Sequence, residues 1–301
     1  MSTSQKDTYT GTGLAVLATF IWAGNFIIAR GVIRSIPPVS LAFYRWLLAS
    51  LILVPFVWKK IKTEWAAIRQ AWIYFFGVAL SGIALFNTFV YIGAHYTSAI
   101  NLALIGTTSS PVMAIIMARI FLKEQIGWQK LMGLLVCIFG VLFLLSGGAF
   151  QQLLHHSYSK GDLWVLTAAF CFAAYNTLVK KKPASVSPVN FLFVAFTLGT
   201  LMLLPFYIRE TVGSNNIVWT NELLWSILYL GLGASVICFL TWNIAIRKLG
   251  AGRTALFGNL IPIFSSFEAV LYLHEEFTWV HIVSMIIVFT GILIANLRIL
   301  K

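Results

Sequence analysis

The sequence predicts an all-α integral membrane protein: ten transmembrane helices arranged as two inverted five-helix repeats around a central cavity. Three observations predict it. Hydrophobic residues make up 59% of the 301-residue chain and charged residues only 10%, with a mean hydropathy of +0.88; an ordinary soluble domain carries about 25% charged residues. The apolar material falls into stretches of roughly 20 residues, the length that crosses a hydrocarbon core at about 1.5 Å per residue. Landmarks also recur at an offset of about 150 residues, as expected of an internal repeat. Gly11, Phe20, Pro38 and the pair Pro55-Phe56 return as Gly161, Phe170, Pro188 and Pro205-Phe206. Pro111, the run Phe121-Leu122-Lys123-Glu124, Trp128 and Gly140 return as Pro262, Tyr272-Leu273-His274-Glu275, Trp279 and Gly291. Five crossings per unit is an odd number, so the second unit starts on the opposite side of the bilayer, the layout of many secondary transporters.

The spans are expected near 14–33, 38–58, 72–93, 98–121 and 128–146, then 162–180, 188–208, 223–245, 252–273 and 279–298. Residues 1–146 form the first repeat, 147–160 an external linker and 161–301 the second repeat. The first stretch has the look of a signal peptide, but it is long for an h-region and leads into nine more spans, so an uncleaved helix is expected. Pro38 opens the second span. Residues 59–71 carry Trp65, Ala66, Ile68 and Trp72 among basic side chains, a pattern for a short amphipathic piece at the inner interface. Gly77 and Gly82 in the third span, and Gly231, Gly233, Ala234 and Ser235 in the eighth, permit close helix packing where lipid supplies no hydrophobic drive for association. Short turns such as Ser35-Ile36-Pro37 and His95-Tyr96-Thr97 make neighbouring helices antiparallel. Gly147-Gly148 to Gly161, and Gly213 to Asn216, are the longer outer connections.

The net charge of +12 raises the possibility of a nucleic-acid partner, but its placement gives a different reading. With the N-terminus inside, Lys59, Lys60, Lys62, Arg69, Lys123, Lys130, Lys180, Lys181, Lys182, Arg247, Lys248, Arg253, Arg298 and Lys301 all fall in inner loops or the tail. The outer side holds only Arg30, Arg34, Lys160 and Arg209, beside Asp162, Glu210, Glu222, Glu275 and Glu276. Positive charge on the cytoplasmic side sets orientation, so both termini are expected inside, the bilayer is the large partner, and no nucleic acid is. Tryptophans at span ends, including Trp128, Trp164, Trp219 and Trp279, suit an interfacial belt.

Signatures of chemistry are missing. No G-x-x-x-x-G-K-S/T loop exists to draw on nucleotide, and neither H-E-x-x-H nor G-x-S-x-G occurs. The three cysteines, Cys137, Cys171 and Cys238, read as buried free thiols. No metal-ligand spacing is present, no cofactor is expected, and an enzyme is not.

Charges inside a span cost about 2.5–3.5 kcal/mol at the bilayer centre by insertion scales and need a reason. Arg45, in Phe43-Tyr44-Arg45-Trp46, and Glu268, in Ser265-Ser266-Phe267-Glu268, are the two embedded charges. They are expected at similar depth, as an ion pair or as a linked pair facing an aqueous cavity and holding the two charged ends of a zwitterion. Solvation of each through an outer vestibule, or upward snorkelling of Arg45, is the structural alternative. Glu268 is also the candidate proton site if transport is proton-coupled. Trp22, Asn25, Asn87, Tyr91 and Asn101 in the first unit, and Tyr175, Asn176, Trp242, Asn243 and Asn259 in the second, are the other candidate cavity residues. Any one of these is more commonly a helix–helix hydrogen-bond partner; it is the cluster that points to a small amphipathic solute. Pro111 and Pro262 are expected to break the fourth and ninth spans, freeing carbonyls that must be satisfied by protein or a wet cavity. Glu124 and Glu275 are read as fastening the turns that follow, each serving the next helix's N-terminus.

These features together resemble the EamA-type family of the drug/metabolite transporter superfamily, through Phe43-Tyr44-Arg45-Trp46-Leu47-Leu48-Ala49, Pro111 followed by Phe121-Leu122-Lys123-Glu124, and Gly133 to Gly140. The resemblance covers nearly the whole chain. It implies a bacterial inner-membrane carrier with a cavity between the repeats, exporting amino acids or related small metabolites by alternating access. Ala195 stands where Arg45 would recur and His274 replaces Lys123, so contacts inferred in one half are not copied to the other. A carrier of lipid-linked or nucleotide-sugar metabolites is the alternative cargo class, for which a single embedded arginine is poor provision. A non-transporting sensor and an intramembrane enzyme are the other classes.

Overall fold

The computed structural model describes residues 3–58, 60–121, 127–149, 159–179, 181–212, 217–249, 254 and 257–296. The helices are α1 (Thr3–Gly31), α2 (Pro38–Val57), α3 (Ile61–Gln70), α4 (Trp72–Ala94), α5 (Ala99–Phe121) and α6 (Trp128–Leu145). There follow α7 (Lys160–Val179), α8 (Pro188–Val212), α9 (Asn221–Leu249), α10 (Gly258–Leu273) and α11 (Trp279–Asn296). Six of these, namely α2, α4, α7, α8, α9 and the stretch Asp7–Gly31 of α1, are long and apolar enough to cross a membrane. Leu131–Leu145, Gly258–Leu273 and Trp279–Ile294 are shorter apolar helices. The amphipathic piece expected at 59–71 is α3, which buries Ile68 and leaves Trp65 exposed. Glu124, linker residues 150–158, and Lys59, Lys123, Lys180, Arg253, Arg298 and Lys301 lie outside the described residues.

The main packing partners join one half of the chain to the other. α2 lies on α8, α6 on α11 and α5 on α10; α1 packs on both α9 and α10, as α7 packs on both α4 and α5. Shifting each partner by one repeat returns a partnership already in this set. Small residues make these seams close. A Cβ at Gly82 would meet the Tyr175 ring at 2.1 Å, and one at Gly291 would meet the Gly133 carbonyl oxygen at 2.7 Å, the close approach that apolar surroundings favour.

Helix starts are closed across the halves. α2 has proline in its first turn, where a missing N–H costs nothing. Its next donors, the backbone N–H groups of Val39 and Ser40, point to the Glu210 carboxylate at 3.2 and 2.7 Å. α8 is closed by Glu64, which accepts from the Ser187 N–H and the Asn190 amide at 2.8 Å each. Glu275 differs from the expectation. It takes the Ala99 and Ile100 N–H groups at 2.7 and 3.1 Å, so it caps α5 of the other half rather than α11. His274 adopts a left-handed conformation (φ 54°) at the end of α10, and Glu275 follows that reversal directly. The start of α11 is served locally, by the His281 ring nitrogen accepting from the Thr278 N–H at 2.9 Å.

The two prolines behave differently. α5 is helical through position 111, whose side chain lies outside the described residues. Pro262 lies at an interruption of the span, whose residues Thr254 and Phe257 are helical ahead of it. It stands in the first turn of the α-helical segment Ile261–Leu273, after a tight 3₁₀ turn at Gly258–Leu260. Two further irregularities lie mid-helix: α4 is π-helical over Ala79–Leu85 and α9 over Tyr229–Ile237. These two segments occupy matching places in the halves. Short π segments concentrate at functional sites.

Candidate functional site

Four residues singled out in the sequence converge on one point: Asn25 from α1, Arg45 from α2, and Asn87 and Tyr91 from the end of α4 just beyond its π segment. Arg45 is 3% exposed. Its Nη1 donates to Asn25 Oδ1 at 2.5 Å, Asn87 Oδ1 at 2.8 Å and the Tyr91 hydroxyl at 2.8 Å. The Tyr91 hydroxyl donates in turn to Asn25 Oδ1 at 3.1 Å. Nε donates to the Ser235 hydroxyl at 2.9 Å, which donates to the Leu230 carbonyl at 2.9 Å. That last bond spans five residues inside the π segment of α9, so the irregular turn is what aims Ser235 at the guanidinium. The Trp46 ring lies under the cation, 4.6 Å from Cζ to its centroid, an arrangement that stabilises a desolvated guanidinium by about 2 kcal/mol.

Arg45 therefore draws on both halves of the chain, and every acceptor that it meets is neutral. The ion pair expected with Glu268 is not formed. The guanidinium is turned to the amides and hydroxyls, and among the described residues the carboxylate of Glu268 makes no hydrogen bond or ion pair. Glu268 is 6% exposed on α10, which packs against α1.

The aromatic candidates form a second group. Trp22 and Trp242 are in ring contact at 5.1 Å, and Trp22 Nε1 donates to the Ala234 carbonyl at 2.9 Å, one residue before Ser235. Tyr175 is buried in α7, stacked on Phe172 at 5.7 Å and facing Gly82. The rest stand apart from the arginine cluster. Asn101 is bonded into the first turn of α5, its backbone N–H to the Ser98 hydroxyl at 3.1 Å. Asn176 and Asn243 are half-buried without a hydrogen bond to a described residue, and Asn259 lies in the tight turn before Ile261. The residue that sequence reasoning missed is Ser235. It reads as one more small packing residue, and nothing in its neighbourhood marks the π turn that presents it. The three cysteines are buried free thiols. Among the described residues no group of three His, Cys, Asp or Glu side chains is placed to hold a metal ion.

A model of the EamA-like transporter family matches the chain twice, over residues 9–146 and 159–297. An uncharacterized transporter of Archaeoglobus fulgidus is 27% identical over 286 residues, with 95% of this chain and 96% of that one covered. The uncharacterized transporter YyaM of Bacillus subtilis is 27% identical, covering 83% of this chain and 82% of its own. A probable amino-acid metabolite efflux pump of Escherichia coli is 22% identical, with 93% of each covered. One solved crystal structure aligns over 96% of this chain and 97% of its own at a TM-score of 0.62 and 17% identity, a likeness of fold. The double match, with its seam at the linker, and the apolar helices packed half against half lead to one conclusion: the chain belongs to the EamA-like transporter family and is a multi-pass membrane transporter.

Proposed function

We propose that the chain is a secondary transporter that exports amino acids or related small metabolites across a bacterial inner membrane by alternating access. The observation that carries this reading is the buried Arg45 cluster, assembled from α1, α2, α4 and the π segment of α9. The embedded charge is held by neutral groups and by no carboxylate, at the seam of the halves, where a rocking motion opens a binding cavity. Ten spans as two inverted five-helix units, both termini cytoplasmic, complete the reading. In it the cavity is lined by Trp22, Asn25, Arg45, Asn87, Tyr91, Trp242 and Glu268, with Asn101, Tyr175, Asn176, Asn243 and Asn259 further along its walls. Matched irregular segments in inverted repeats are where such transporters bind their cargo. The name of the Escherichia coli relative supports amino acids as the cargo class. Glu268, an embedded acceptor with no described partner, is the proposed proton site.

Counterflow of labelled amino acids into liposomes carrying the purified chain tests this, with and without a pH gradient. Accumulation of at least one amino acid, abolished by Arg45→Gln, supports the reading. Counterflow of nucleotide sugars in place of amino acids replaces it with the other cargo class, and no counterflow of any solute overturns it.

A further inference from the structure

The hydrogen-bond inventory of the same cluster identifies the part of the cargo that it holds, on the premise that the cluster is the transport site. A guanidinium has donors and no acceptor. Asn25 and Asn87 must therefore present Oδ1 to Arg45 Nη1, as they do at 2.5 and 2.8 Å, and this fixes both amide orientations. The Nδ2 groups of the two asparagines are left over. Neither donates to any described residue, and the same holds for Arg45 Nη2. The acceptors in the cluster are already engaged: the Tyr91 hydroxyl accepts from Arg45 and donates to Asn25, and the Ser235 hydroxyl accepts from Arg45 and donates to Leu230.

What the cluster still offers is three nitrogens, each with two N–H groups. All belong to residues that are 5% exposed or less, and none is sealed away as the buried unpaired atoms of Ser109 or Thr197 are. A site lined by unspent donors around an uncompensated cation is matched to a group that brings acceptors and negative charge. An amine or a second amide donor meets these N–H groups and oxygens that already accept from Arg45. The Trp46 ring covers one face of the guanidinium, so the ligand arrives along its Nη2 edge. We infer that Arg45 Nη2, Asn25 Nδ2 and Asn87 Nδ2 form an oxyanion receptor that binds the carboxylate of the transported solute. One positive charge is balanced by a carboxylate and overbalanced by a phosphate dianion.

The experiment uses the full chain in liposomes and compares L-leucine and L-phenylalanine with the amines isoamylamine and phenethylamine, which lack only the carboxylate, and with glycerol 3-phosphate. Asn25→Asp and Asn87→Asp are nearly isosteric and place a carboxylate against Arg45 from within the protein. Melting temperatures of the same preparations are read with and without each solute. The expected result is counterflow and a solute-dependent rise in melting temperature for acids and not for amines. Both effects should fall by more than about tenfold in Asn25→Asp and Asn87→Asp. Equal handling of acids and matching amines, or wild-type handling of acids by both aspartate variants, overturns the receptor while leaving transport standing. Selectivity for glycerol 3-phosphate overturns the carboxylate assignment. If nothing is transported, the transport reading fails, and the receptor is decided by melting alone: stabilisation by acids in wild type but not in the aspartate variants upholds it, and its absence overturns it.

Discussion

Glu210 closes the start of a helix that belongs to the other half of the chain: its carboxylate accepts the backbone N–H and the hydroxyl of Ser40, both at 2.7 Å. Glu64 does the same in the opposite sense for Ser187 and Asn190. Each half thus supplies the anion that the other half's helix requires at its positive end. Replacing Glu210 by Ala should lower the stability of the purified chain by about 1–2 kcal/mol, the usual cost of a lost cap. Glu210→Gln, which keeps an acceptor and drops the charge, should cost less. Denaturation in detergent measures both, and equal stability of all three proteins would mean that the cap contributes nothing.

Glu64 gives this contact a pH dependence. Burial pushes its carboxyl up, but the Ser187 backbone N–H, the Asn190 amide and the Ser187 hydroxyl, with Lys60 nearby, outweigh that and hold it below the ordinary glutamate value. A carboxyl whose folded pKa is depressed contributes stability above its unfolded pKa, and that contribution is lost as pH falls through the folded one. The wild-type melting temperature should therefore fall more steeply than that of Glu64→Gln as pH drops below about 4.5. Parallel curves would remove Glu64 from the account.

Ser235 separates a cluster role from a packing role. Ser235→Ala removes little volume but takes the acceptor from a buried, charged Nε, a loss worth about 1–3 kcal/mol. The expected outcome is a lower melting temperature together with slower counterflow, whereas Ser81→Ala, on the partly buried turn of α4 where the hydroxyl bonds only its own helix, should change neither. Comparable effects from the two substitutions would refute the assignment.

Two glycines should respond differently to the same added methyl. Gly82→Ala collides with the Tyr175 ring and should cost about 1–3 kcal/mol, much of it recovered in combination with Tyr175→Ala. Gly291→Ala meets the Gly133 carbonyl oxygen and the Cys137 backbone nitrogen, which no truncation removes, so Cys137→Ala should not rescue it. Melting temperatures of the single and double variants decide both.

Much of this was legible in the sequence because lipid is an exacting solvent. Apolar length marked the helices, and Pro38 and Pro188 marked matching helix starts. Polar residues embedded in apolar spans have few places to go, and Asn25, Arg45, Asn87 and Tyr91 meet in one hydrogen-bonded cluster. The π segments were hidden. A turn widened by one residue depends on neighbours such as Tyr175 and Arg45 and leaves only a scatter of small residues in the sequence. The carboxylate caps were hidden for a different reason. Glu64 and Ser187 are separated by 123 positions and Glu210 and Ser40 by 170, so local spacing could not pair them, and Glu275 was given to its sequence neighbour. The expected Arg45–Glu268 pair rests on opposite sign and similar depth, and neutral groups reach the guanidinium instead.

The reciprocity of Glu64 and Glu210 bears on how such a chain can be divided. Cut at the linker and produced as separate fragments, neither piece would hold the anion that its own proline-led helix needs, and each would carry one that fits the other. The two fragments should be recovered poorly alone and well together.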